Sequence, residues 1–233
     1  MELDGILFDK DGTLFDFRAT WDRWAADLIA DLAAGDAVLA SAIAENIAFD
    51  LTRSEFMAHS PVIAGTSREA AECVARAMPD RDIDALEAQM NASAALAPLA
   101  PAVPLSPLLT ELAGRGLKLG VMTNDSEESA QAQLTAAGIV SQFDFVAGFD
   151  SGFGAKPDPD PLLAFADQME LPPARIAMVG DSAHDLIAGR RAGMATIGVL
   201  TGIAVEADLK TLADVVLSDI GEIPDFLRRS VAS

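Results

Sequence analysis

The chain predicts an α/β fold: a doubly wound, mostly parallel, Rossmann-like sheet interrupted by an inserted helical segment. Three observations lead there. The chain opens on a short apolar run, Leu3 to Phe8, with no polar alternation beyond Asp4 and Gly5. Such a run is the pattern of a strand buried on both faces of a parallel sheet. From Leu108 onward, strand-like and helix-like stretches alternate as βαβ units do. Between these two regions lies a long stretch with helical periodicity and no strand signal.

The elements follow in order. Trp21, Trp24, Ala25, Leu28 and Leu32 recur at helical spacing, and Gly35 ends that helix. Val38, Ala42, Ile43 and Ile47 give the next helix its apolar face. Thr52 with Glu55, and Thr66 with Glu69, have the spacing of capping boxes and predict two further helix starts. Asp82 to Leu96 completes an inserted segment expected to be all-helical, with its tryptophans in the core rather than on a ligand platform. Pro98, Pro101, Pro104 and Pro107 then stiffen the chain, so Pro98 to Pro104 reads as a linker, with Phe15 to Arg18 as its outward counterpart. Residues 17–99 are therefore expected to form a cap on a core of residues 1–16 and 100–233, able to hinge as a lid. Beyond the linker, helices are predicted over Leu108–Arg115, Ser126–Ala137, Pro161–Met169 and Ala183–Ala192, and near Phe226. Strands are predicted over Leu117–Met122, Phe145–Phe149, Ile176–Val179, Thr196–Leu200 and Val215–Leu217.

Composition narrows the classes of partner. Sixteen basic against 36 acidic residues give a formal charge of −20. That excludes the basic face needed for nucleic acid or an anionic membrane, and it repels an anionic substrate at long range. A metal ion or a few placed cations must then hold such a substrate locally. The single cysteine, Cys73, allows no internal disulfide and sits in a helical pattern as a small core residue. With no basic-plus-apolar leader pattern and no bilayer-length apolar stretch, a cytoplasmic location is expected. A monomer and a homodimer are both compatible with the sequence.

The polar residues that punctuate the core strands carry the chemistry. In an open α/β sheet, ligands sit beyond the carboxyl ends of the strands. Asp9 and Asp11 fall at the first such end, Thr123 and Asn124 at the next, Lys156 in a later loop, and Asp181 with Asp185 after another strand. Residues i and i+2 of an extended chain point the same way, so Asp9 and Asp11 can converge, and Gly12 allows the turn that follows. Read alone, the pair suits a magnesium ion, a nucleophile with its general acid, or a solvated turn. Together, Asp9, Asp11 and Asp181 offer hard oxygens for magnesium, while the Thr123 hydroxyl and Lys156 ammonium suit a phosphoryl group. A phosphate-binding Gly-rich loop ending in Lys-Ser/Thr is absent, as is a Gly-x-Ser-x-Gly elbow, and His59 and His184 lack metal-ligand spacing.

Asp9-Lys10-Asp11-Gly12-Thr13, Thr123-Asn124, Lys156-Pro157 and Gly180-Asp181-Ser182-x-x-Asp185 resemble, in order and rough spacing, the motifs of the haloacid dehalogenase superfamily. The insertion after the first motif resembles that family's helical cap. The best resemblance is to the small-molecule phosphatases similar to phosphoglycolate phosphatase. It implies that Asp9 is the nucleophile and that Asp11 protonates the leaving oxygen and then activates water. It further implies magnesium on Asp9, Asp181 and the Asp11 backbone carbonyl, phosphoryl oxygens held by Thr123 and Lys156, and Asp185 orienting Lys156 or a metal-bound water. Asn124 falls in the same phosphoryl-binding motif. The implied activity is magnesium-dependent hydrolysis of a small phosphorylated metabolite, with 2-phosphoglycolate the leading substrate. An acid at position 11 points away from dehalogenation, which needs no proton for its leaving group, and phosphonate cleavage would need a small residue there and a cap lysine. A sugar-phosphate mutase of the same fold, and a non-catalytic binding protein on this scaffold, are the rival readings.

Signals from the cap are fainter. Gly65-Thr66 lies at an expected helix start whose free N–H groups could meet a substrate carboxylate, against the plainer reading of an ordinary capped helix. Arg18, Arg53 and Arg68 are candidate anion readers, set against solvated surface arginines. Lys10 is expected to face solvent beside the site, where the family commonly has an apolar residue.

Overall fold

A computed structural model describes residues 2–231. The opening apolar run forms β1 (Gly5–Phe8), buried throughout. Asp16 then accepts an amide proton from Ala19 and caps α1 (Phe17–Ala33). Asp36 caps α2 (Ala37–Asn46) in the same way. At the first expected capping box the chain departs from the sequence reading. Thr52 and Glu55 start no helix; they lie in and after the turn of a hairpin, β2 (Phe49–Asp50) and β3 (Glu55–Phe56). The reason is local. The Asp50 carboxylate accepts from the Thr52 and Arg53 amides, and Ser54 takes a left-handed φ of 53°, which no helix tolerates. Phe49 and Phe56 then pair edge to face across the strands, both buried in the cap's apolar cluster. The inserted segment is therefore helical apart from this hairpin.

The second capping box forms as expected. Thr66 and Glu69 satisfy each other's backbone at the start of α3 (Ser67–Ala75), and Asp82 caps α4 (Ile83–Ala94). Cys73 is buried in the same cluster. The returning chain runs beside the outgoing one: Asp16 donates to the Ala100 carbonyl at 2.8 Å, and Ala102 donates to the Leu14 carbonyl at 2.9 Å.

The rest is a regular βα alternation: α5 (Leu105–Gly114), β4 (Lys118–Met122), α6 (Glu127–Ala136), β5 (Phe145–Ala147), α7 (Asp160–Gln168), β6 (Ile176–Gly180), α8 (Ala183–Ala192), β7 (Ala195–Val199), α9 (Glu206–Leu209), β8 (Val215–Leu217) and α10 (Ile223–Val231). Six parallel strands make one sheet in the order β5-β4-β1-β6-β7-β8. Side chains alternate between its two faces. Ile6, Phe8, Leu119, Val121, Ala177 and Val179 join α5, α6 and α10 on one side. Leu7, Met122, Ile176 and Met178 join α7 and α8 on the other. Burying each of these larger side chains contributes about 1.5–3 kcal/mol. The sheet is thus wound on both faces, with β1 central and flanked by β4 and β6. Among the described residues, no helix is long and apolar enough to cross a membrane.

Candidate active site

The carboxyl ends of β1, β4 and β6 lie side by side because Phe8 is in register with both Val121 and Val179. The ladder extends one residue further, with the Asp9 amide donating to the Val179 carbonyl at 2.8 Å. There the chain folds back: the Lys10 carbonyl accepts from the Leu14 amide at 2.9 Å and the Phe15 amide at 3.1 Å. Gly12 is required at this turn for two reasons. Its φ is +81°, and a Cβ on it would lie 2.5 Å from the Asp181 carboxylate. Gly202, in the loop after β7, presses on the same carboxylate, since a Cβ there would stand 1.6 Å from Asp181 Oδ2. Thr201 ties that loop down by donating to the Gly12 carbonyl at 2.6 Å.

Asp9, Asp181 and Asp185 converge in this pocket, each buried, with one carboxylate oxygen of each within 4.8 Å of the others. Lys156 enters from the loop before α7. Its ammonium donates to Asp9 Oδ1 and Asp185 Oδ1, both at 2.6 Å, and to the Met122 carbonyl at 2.9 Å. Asp185 is itself held through its other oxygen by the Ser182 hydroxyl at 2.6 Å. One lysine among three buried carboxylates leaves an excess of negative charge, and the titration of the groups reflects it. Burial pushes Asp9 up to about 7, with Lys156 opposing and Asp185 and Asp11 adding. Asp181, with no cation hydrogen-bonded to it, is raised well above the usual carboxylate range by burial and by its two acidic neighbours. Lys156 is raised because Asp185 and Asp9 outweigh the burial that alone would lower it. Three converging hard oxygens with surplus negative charge fit a divalent cation such as magnesium.

Asp11 stands apart from this trio. One of its oxygens accepts from Lys10 at 2.6 Å, while Oδ1 is buried without a hydrogen-bond partner. Thr123 is buried on the wall, with its amide on the Ala147 carbonyl and its hydroxyl accepting from the Asp125 amide. Asn124 holds the Lys156 backbone at both ends: Oδ1 accepts from the Lys156 amide, and Nδ2 donates to the Lys156 carbonyl, both at 2.9 Å. Nδ2 also donates to the Ala64 carbonyl in the cap at 2.9 Å, so Asn124 joins the two parts of the chain across the site.

Other expectations need correction. Lys10 does not face solvent. It is fully buried, paired with Asp11 and with Asp125 at 3.4 Å, and its ammonium lies 5.4 Å from the Trp21 ring centroid. It also donates to Gln133, which donates in turn to the Ala94 carbonyl of the cap. Asp125 and Gln133 had no sequence signal as site residues, although Asp125 directly follows the Thr123-Asn124 motif and Gln133 lies on the helix after it. Arg18, Arg53 and Arg68 are absent from the cavity wall. They pair with Asp22 and Glu55, with Glu55, and with Glu72, Asp84 and Glu87 respectively. Gly65 and Thr66 do line the cavity, but the Thr66 and Glu69 amides are taken up by the capping box. Trp21 and Trp24 pack against the cap's apolar cluster and also border the cavity.

A two-faced parallel sheet with an acidic, lysine-bearing site at the carboxyl ends of its central strands is a doubly wound α/β scaffold with a ligand site at its switch point. The chain belongs to the haloacid dehalogenase-like hydrolase family, whose model matches residues 3–193. It is 41% identical over 111 residues to a probable phosphatase, IndB, of Dickeya dadantii, covering 48% of each chain. It is 35% identical over 120 residues to a phosphoglycolate phosphatase of Rhodospirillum rubrum, covering 52% of this chain and 50% of the relative. These matches span about half the length of the curated relatives. In fold the chain is similar to the crystal structure of a predicted phosphoglycolate phosphatase from Haemophilus somnus, with a TM-score of 0.72, 21% identity, and coverage of 97% of this chain and 99% of the other.

Proposed function

We propose that this chain is a magnesium-dependent phosphatase that hydrolyses a small phosphate monoester through a phospho-Asp9 intermediate. The observation that carries the reading is the pairing of two carboxylates with different environments. Asp9 lies among Lys156, Asp181 and Asp185, whereas Asp11 keeps one buried oxygen without a partner. That difference supports attack by the first and proton transfer by the second. The names of the two curated relatives support a phosphatase, and the second supports 2-phosphoglycolate as a substrate to test first.

The steps follow from the side chains. An Asp9 carboxylate oxygen attacks phosphorus and the ester P–O bond breaks, while Asp11 passes a proton to the departing alkoxide. Asp11 then takes a proton from water as that water attacks phosphorus. The P–O bond to Asp9 breaks, releasing phosphate and restoring the carboxylate. Thr123 and Lys156 hold phosphoryl oxygens throughout, and Asp185 keeps the lysine in place. Magnesium, held by Asp9, Asp181 and the Asp11 carbonyl, would offset the crowded carboxylates and draw charge from the phosphoryl group. Phosphate release should therefore require magnesium and fall by about three orders of magnitude or more in Asp9→Asn, since loss of a covalent nucleophile removes the whole route. Turnover that survives the substitution would remove Asp9 as nucleophile. Product analysis separates hydrolysis from a mutase, which returns the phosphoryl group to a sugar.

A further inference from the structure

The wall opposite the catalytic carboxylates belongs to the cap, and its chemistry is one-sided. Phe17, Trp21, Trp24, Leu28, Val62 and Met90 border the cavity there. No arginine or lysine of residues 17–99 joins them. Four of the cap's arginines are paired with carboxylates and Arg81 bonds Gln89, while Arg76 is exposed. Lys156 and His184, the basic side chains on the wall among the described residues, both come from the core. Lys156 is already committed to Asp9 and Asp185. Two polar side chains on that wall are engaged within the protein, Ser67 donating to Asp125 at 3.1 Å and Trp24 donating to Ser93 at 2.9 Å, and Asn91 adds an uncharged amide. Asp125, held by Lys10, Ser67 and Ser129, adds only acceptor oxygens.

We infer that the leaving-group side of this site selects an uncharged alcohol with an apolar or aromatic body, in preference to a carboxylate-bearing one such as glycolate. The inference rests on the phosphomonoesterase reading for the position of the phosphoryl group. Moving a carboxylate against such a wall costs its hydration with no paired cation in return, whereas a ring exchanges water for aromatic contact.

The test exploits a property of the composition. The chain has two tryptophans and no tyrosine, and both tryptophans border the cavity. Tryptophan fluorescence therefore reports occupancy of this wall without any turnover. With magnesium present, 2-phenylethylphosphonate should bind at least about ten-fold more tightly than 3-phosphonopropionate, the non-hydrolysable counterparts of benzyl phosphate and 2-phosphoglycolate. Val62→Lys, at a half-buried loop position, should narrow that ratio at least about five-fold, and Trp24→Ala should weaken the phenyl compound alone. Equal or tighter binding of the carboxylated phosphonate to the wild type would overturn the inference. Turnover is read separately with benzyl phosphate and 2-phosphoglycolate, both esters of primary alcohols. A binding preference without hydrolysis of either ester would count against the phosphatase reading and leave the wall's selectivity standing. Hydrolysis without the preference would do the reverse.

Discussion

A lysine with none of its side chain exposed keeps its charge only where acceptors replace water, and Lys10 has them in Asp11, Asp125 and Gln133. Burial would lower its pKa, but Asp11 and Asp125 more than compensate, so it is raised. Lys10→Met should destabilise the fold by about 3–5 kcal/mol, because it strands the carboxylates that face it. Chemical denaturation of the wild type and the variant measures this. The trio beyond has the opposite imbalance. Asp9 titrates near 7 in the fold against 3.8 as a free side chain, and Asp181 is raised as well. The folded state therefore binds more protons than the unfolded one between those values. The stabilisation this gives is full below about pH 4 and is lost as pH rises through about 7. A magnesium ion bound there would take the place of those protons, so its effect on Tm should be larger at pH 8 than at pH 5. Thermal scans at both values test this, and Asp181→Asn should remove most of the magnesium effect.

Among the elements, the loop after β7 acts on a site to which it contributes no ligand. Gly202→Ala must displace either the loop or Asp181, since its Cβ would overlap Asp181 Oδ2. We expect magnesium affinity to fall about 10–100-fold, as when the groups that orient a metal ligand are altered, with calorimetric titration as the readout. This contact was invisible in the sequence because Thr201-Gly202 reads as ordinary turn chemistry, and only the fold places it over the first strand's tip. The strands of the core were legible because burial on both faces leaves an unbroken apolar run, as in Ile176–Gly180. The hairpin was not, because Thr52 and Glu55 have the right types and spacing for a capping box. What decides there is the Asp50 side chain, with the pull of two phenylalanines toward the core. The short α9 carried no periodic signal of its own.

For the whole molecule, the formal charge of −20 surrounds a site for which we propose a dianionic phosphate ester. Added salt screens that repulsion, so kcat/KM for a phosphate ester should rise several-fold between about 10 and 150 mM ionic strength, opposite to the usual loss of electrostatic steering. Initial-rate measurements at fixed free magnesium test it. The convergence of Asp9, Lys156, Asp181 and Asp185 was readable from the chain, since a parallel sheet collects its strand tips on one edge. The fate of Lys10 was not, because its three acceptors come from its own neighbour and from Asp125 and Gln133 more than a hundred positions away. The way the chain leaves and re-enters the core has one more consequence. Leu14 to Asp16 and Ala100 to Ala102 are hydrogen-bonded neighbours, so the two ends of the inserted segment lie about 5 Å apart, one strand spacing. To the sheet, everything between them is a single hairpin of arbitrary length. A lineage could then exchange or remodel that whole excursion without rerouting a core strand, keeping the strand-tip residues while the wall they face changes.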